Sequence, residues 1–319
     1  MFTEGIPVLS EDTHYWFFRT EGGSFFDQFY FEDFIAYGWD EFIDLKYIKE
    51  TEKEKFKSDF KELCKEEKRP GLAVNQMKLF VEQMKIDDIV FIPSEGSEYI
   101  AFGVIASDAE IVDAISEQDI ENGKCPYRKR RKVNWYKYSK KSEIDPYLFK
   151  PMCAINTITD ATEYAPFIDR MIYPIYIKDG IGHLSIYVKK QNNISAREMS
   201  RLIDRVLSLL ELPPTESPLV NTDEIDVRIN VQSPGLFEFI GGAAAIFALS
   251  AILRQYILGG TTEMKIGPTG INFKIEGQGI LDAILKHKEF KARQAQELKE
   301  TMERLDAELP RQLNDNNEQ

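Results

Sequence analysis

Five consecutive cations, Arg128-Lys129-Arg130-Arg131-Lys132, followed by Trp135, Tyr136 and Lys137, form the densest chemistry-bearing run of the chain. Cations beside aromatic rings suit a nucleic acid or nucleotide, because cations hold phosphate oxygens while rings stack on bases. A solvated strand end or a docking surface for an acidic partner would use the same residues. Strand side chains alternate, so only some of the five can point to one face. Upstream stand Trp16, Phe18 and Trp39, and these rings either wall a pocket for an unpaired base or fill a core. Trp16 lies in the apolar run Tyr15-Trp16-Phe17-Phe18 and reads as core, whereas Trp39, followed by Asp40, is the better pocket residue. Ser94, Trp135 and Tyr136 complete the candidate ligand-binding set.

No comparable set points to catalysis. Carboxylates are plentiful, yet no pair sits where one would be kept protonated and the other ionised, and Asp108, Glu110 and Asp113 read as a solvated loop. Gly267-Pro268-Thr269-Gly270 lacks the Lys-Ser or Lys-Thr of a phosphate loop. His14, or a serine of the stretch 94–97, has no third group to orient it. Tyr37-Gly38-Trp39-Asp40-Glu41 carries the acids of a nuclease without its lysine. Cys64, Cys125 and Cys153 are far apart, as are the three histidines, so neither a disulfide framework nor a zinc site is expected, and no cofactor. A reducing, cytoplasmic setting fits, since the first residues lack a basic segment followed by an apolar one. The net charge of −13 argues against a protein that coats nucleic acid by bulk electrostatics, so any such contact is local.

The elements that must position these residues follow from length and periodicity. A chain of 319 residues, 43% hydrophobic, is expected to form two compact units with real cores. Residues 46–68 carry Tyr47, Phe56, Phe60 and Leu63 at helical intervals, and a second helix is expected over 74–84. Strands are expected at 89–93, 99–106 and 127–138. The stretch 146–168, with its prolines and Thr/Asp-rich segment, reads as a linker. Beyond it, 171–177 and 183–189 alternate around Lys178-Asp179-Gly180-Ile181-Gly182, a hairpin signal. Ser195 with Glu198 forms a capping box for a helix carrying Leu202, Val206 and Leu209. A strand over 225–231, a turn at Ser233-Pro234-Gly235, an apolar helix over 236–258 and a hairpin around 267–270 complete the second unit.

Tyr15-Trp16, Trp39-Asp40 and Met84-Lys85-Ile86-Asp87-Asp88-Ile89-Val90 stand in the order that identifies the EVE branch of the PUA-like superfamily, related to the YTH readers of modified bases, and residues 12–140 resemble it. Asp87 replaces the turn glycine of that family, a substitution Asp tolerates in turns. The resemblance implies an α+β chain: a PUA/EVE-like mixed β-barrel over residues 1–145, then an α+β domain over 169–290 and a helix with a tail over 291–319. It also implies a base pocket at Trp39, with Arg128, Lys129, Arg130, Arg131, Lys132 and Lys137 on the nucleic-acid backbone. Ser233-Pro234-Gly235-Leu236 with the apolar run 243–253 resembles a domain of bacterial conflict proteins. A sensor of modified, unpaired or foreign nucleic acid in anti-phage defence is the resulting expectation.

Two rival classes remain. An effector could attack a membrane with the helix 236–258, although Glu238 and Arg254 leave its uncharged part shorter than the ~20 residues a span needs, which favours a buried helix. An adaptor could instead bind a protein through the barrel or through residues 169–290. Ala295, Leu298, Met302, Leu305 and Leu309 form an apolar stripe that pairs two copies, through residues 280–309, or lies on the second domain.

Overall fold

The computed structural model describes residues 6–190, 192–213, 220–229, 235–257 and 279–309. The fold is α+β, and the chain divides into two compact units, residues 12–168 and residues 1–11 with 169–319. The expected hairpin around 267–270, the turn residues Ser233 and Pro234, and the tail 314–319 lie outside the described residues.

Strand β1 (Val8–Leu9) belongs to the unit containing 169–319, and β2 (Tyr15–Phe18) opens the other. There follow α1 (Phe26–Phe31), β3 (Phe34–Tyr37), α2 (Leu45–Glu50), α3 (Lys53–Leu63), α4 (Pro70–Lys78), β4 (Ile89–Pro93), β5 (Tyr99–Ile105), β6 (Glu110–Ile111), α5 (Glu117–Glu121), β7 (Lys129–Lys140), α6 (Phe149–Met152) and β8 (Ile158–Asp160). They build a curled half-barrel sheet in the order β3-β7-β5-β4-β2-β8, with β6 beside β7. Only β2 and β4 pair in parallel. Both are buried at every position, and strands covered on both faces read as unbroken apolar runs. Trp16 and Phe18 enter the main core, while Phe17, Phe91 and Phe102 stack in series elsewhere at 5.2 and 5.8 Å.

Local chemistry sets the boundaries. Asp44 caps α2 by accepting from the amides of Lys46 and Tyr47, and Pro70 sits where α4 starts. The single helix expected over 46–68 is two, α2 and α3, because the extended residues Thr51 and Glu52 interrupt it. A π-helical turn, Leu79–Gln83, continues α4. Asp87 adopts φ 72, the left-handed conformation that favours glycine. Behind it Asp88 is buried and accepts from the Trp16 indole at 2.8 Å and from the amides of His14 and Lys85. β5 and β7 slip register between Phe102 and Gly103, leaving Tyr136 as the extra residue of a bulge. A Cβ on Gly103 would stand 2.6 Å from Trp135 and Val133, so glycine is required there.

The stretch 146–168 is not a free linker: it belongs to the first unit, with β8 paired to β2. The Gln76 amide brackets Ile158, donating to its carbonyl at 2.9 Å and accepting from its N–H at 2.6 Å.

The unit boundary falls within α7 (Ala165–Ile172), and the second unit continues with β9 (Ile175–Lys178), β10 (Ile181–Val188), α8 (Ala196–Ser208), β11 (Asp226–Ile229), β12 (Gly235–Gly242), α9 (Ala243–Tyr256), α10 (Lys288–Leu305) and β13 (Ala307–Glu308). The sheet runs β1-β9-β10-β12-β11, with β13 on β10. Asp179 and Gly180, at φ 55 and 74, make the expected hairpin turn, and Ser195 caps α8 by accepting from Glu198. The helix expected from 236 starts only at Ala243; the preceding residues are a largely buried central strand, paired along both edges by β10 and β11. Among the described residues no helix is long and apolar enough to cross a membrane, and the apolar side chains of α9 lie in this unit's core. Ala295, Leu298, Met302 and Leu305 lie in the same core, so the stripe serves its own domain, the second of its two expected fates. Pairing two copies through that stripe would require opening the core.

Candidate binding pocket

The five-cation run begins as a strand whose pleat sends alternate side chains inward. Lys129 and Arg131 are fully buried. The Lys129 ammonium donates to the carbonyls of Trp39 at 2.8 Å and Phe42 at 3.0 Å, and meets the Asp40 carboxylate at 3.3 Å. Burial lowers its pKa, and Asp40 opposes that shift. Arg131 donates to Phe80 at 2.7 Å, to Ser107 at 2.9 Å and to Val81 at 3.2 Å. Two of these carbonyls belong to the π-helical turn, where helix-end carbonyls need donors and favour a cation. Burial lowers the Arg131 pKa to about 10. Arg128 donates to the Val112 carbonyl, and Arg130 lies 4.1 Å from the centre of the Phe34 ring while bonding Tyr127 and Cys125 carbonyls. Of the five, only Lys132 is exposed. Lys137 is half-buried opposite Phe102, and desolvation lowers its pKa to about 8. Cations expected on a phosphate backbone are therefore mostly spent on the protein's own carbonyls.

The aromatic candidates are also divided. Trp16 and Phe18 are core. Trp135 donates its indole N–H to Phe29 at 2.7 Å and packs 6.0 Å from Tyr30. Ser94 accepts from the Tyr99 amide in the turn after β4, and Tyr136 occupies the bulge. Trp39 alone of the set lines the cavity of about 510 Å³ in this unit, whose other aromatic walls are Phe25, Phe29, Tyr37 and Tyr127.

The cavity is built from the loop after β3. Gly38 lets the chain pass close to Tyr127, where a Cβ would stand 2.9 Å from the ring. Trp39 then adopts φ 65, a conformation that strains a bulky side chain, and packs edge-on to Phe60 at 5.0 Å. Lys129 and the Phe42 N–H both hold the Trp39 carbonyl, fixing this conformation from below. Phe25 meets Tyr127 edge-on at 5.7 Å, and the Tyr127 hydroxyl donates to Glu21 at 3.2 Å. Burial raises the pKa of both Tyr37 and Tyr127, and neighbouring carboxylates add to the shift. Asp40 and Glu41 bring further carboxylates, and Arg19 the one lining cation. Such walls can sandwich a flat ring and accept its N–H groups.

Phe25, Phe29, Tyr37 and Tyr127 are the aromatic wall residues that sequence reasoning missed. The only local signals were the Tyr-Gly-Trp order around Gly38 and the tyrosine directly before the basic run. Among the described residues no group of His, Cys, Asp and Glu is placed to hold a metal ion.

A family model described as a domain of unknown function (DUF8426) matches residues 18–162, a stretch contained in the first unit and including every residue of the cavity wall. No curated protein and no solved structure matches the chain.

Proposed function

We propose that residues 12–168 form a binding module that takes an unpaired nucleobase, from nucleic acid or a nucleotide, against Trp39. The observation that carries this reading is Trp39 itself: a bulky residue kept at φ 65, at a strain of about 1–3 kcal/mol, on the wall of an aromatic cavity. Strained backbone persists where the surroundings over-determine it, and here a buried lysine does so. The cavity volume falls within the ~300–1,000 Å³ common for small-ligand sites. The likeness of Tyr15-Trp16, Trp39-Asp40 and residues 84–90 to EVE and YTH-like readers supports the same ligand class, and the positive φ of Asp87, where that family has a glycine, is compatible with it. Base stacking, rather than phosphate capture, is the main source of affinity in this reading.

The test is a titration of the full chain with short single-stranded DNA and RNA, comparing the natural protein with Trp39→Gly. Glycine relieves the strained φ while removing the ring, so the variant is expected to stay folded, as a melting curve will check. Loss of one stack should weaken binding by about 1–3 kcal/mol, roughly tenfold to a hundredfold. A folded Trp39→Gly that binds as tightly as the natural chain overturns the proposal.

A further inference from the structure

We infer that the ring held in this pocket is positively charged, as an N-methylated purine nucleobase is. The inference rests on the base-pocket reading and adds the chemistry that selects among bases. Three carboxylates, Glu21, Asp40 and Glu41, line the cavity against one cation, Arg19. That cation is already engaged: its Nε donates to the Ala154 carbonyl at 2.9 Å, and its terminal nitrogen reaches the carbonyls of Ala154 and Met152. Behind the wall Lys129 offsets Asp40, and even with it counted the carboxylates outnumber the cations three to two.

The wall tyrosines register the same field. Burial raises the Tyr37 phenol and a hydrogen bond with Trp39 opposes it, with smaller upward contributions from Glu67 outside the wall and from Glu21; burial raises Tyr127, followed by Glu21 and, more weakly, Asp40. Trp39, Tyr37, Tyr127 and Phe25 meanwhile line the cavity, and an aromatic face attracts a cation through its quadrupole. Negative potential and aromatic walls together favour a flat cation, weaken the hold on a neutral base, and repel a phosphate placed inside. The cavity, about 510 Å³, is far larger than a quaternary ammonium group, so a purine ring fits the space better.

Calorimetric titration of the full chain with 7-methylguanosine, guanosine, guanosine monophosphate and tetramethylammonium tests this, in mildly acidic buffer where the methylated ring keeps its charge. We expect 7-methylguanosine to bind about tenfold more tightly than guanosine, with the monophosphate weakest, and Glu21→Gln to narrow the difference. Equal affinity for the methylated and unmethylated nucleosides overturns the charge selectivity and leaves the base pocket standing. Heat from none of the nucleosides overturns both readings. Tetramethylammonium binding as tightly as 7-methylguanosine overturns the nucleobase assignment and makes the site a plain ammonium cage.

Discussion

Arg131 in the first unit and Glu238 in the second are both fully buried on a central strand, yet one is held mainly by backbone and the other by side chains. Arg131 spends its guanidinium on the carbonyls of Phe80, Val81 and Ser107. Glu238 takes the His183 ring nitrogen at 2.9 Å and the Tyr176 hydroxyl at 3.1 Å on one oxygen. Its other oxygen faces Arg170 and Arg228 at 3.7 and 4.0 Å. His183 and Tyr176 also stack at 4.3 Å, which fixes the imidazole against the carboxylate. Carbonyls do not titrate, so the Arg131 site is a permanent tie between β7 and the end of a helix. The Glu238 carboxylate can take up a proton, so its site responds to pH.

The largest expected effect breaks the first tie. Arg131→Met should destabilise the protein by about 3–5 kcal/mol, because two buried carbonyls and a partly buried one lose their donor. Denaturant unfolding measures it, and a loss below about 1 kcal/mol would show that water replaces the guanidinium. Glu238→Gln should cost less, about 2 kcal/mol, since the amide keeps the shape and one acceptor while Arg170 loses its counter-charge. The pH profile sharpens the contrast. Burial alone would raise the Glu238 pKa, but the hydrogen bond and charge of His183, with Arg170 and Tyr176, lower it overall. A carboxylate lowered in the folded state contributes stability that is complete above its ordinary value of 4.5 and is lost as pH falls through the lowered one. Glu238→Gln should therefore flatten part of the acid limb of the stability curve, and an unchanged limb would remove Glu238 from the pH response. Smallest of all is Lys132→Glu: the side chain is exposed, so stability should move by no more than about 0.5 kcal/mol.

The comparison also shows why the basic run misled. In sequence, Arg128 to Lys132 is a charge contrast with an acidic chain, and charge alone suggests an outside ligand. Which carbonyls lie opposite a strand residue depends on segments tens of positions away, here the loop 39–42 and the turn 79–83. Alternation was legible and did halve the run, but it could not say that the inward half would be fully satisfied. The apolar stretch 236–253 failed for a related reason. An apolar segment without periodicity fits a buried strand or a buried helix, and the strand half is fixed by β10 and β11 on either side.

By itself the sequence determined the α+β class, the two-unit division, the capped helix at Ser195, the Asp-Gly hairpin and the core position of Trp16. Those features rest on local propensity, periodicity and short-range hydrogen bonds, all written in neighbouring residues. Only tertiary structure decided that residues 146–168 join the first unit, that residues 1–11 join the second, and that Phe25, Tyr37 and Tyr127 meet Trp39. Those outcomes depend on pairing between distant strands and on which buried donors reach which carbonyls, and no local pattern encodes that geometry.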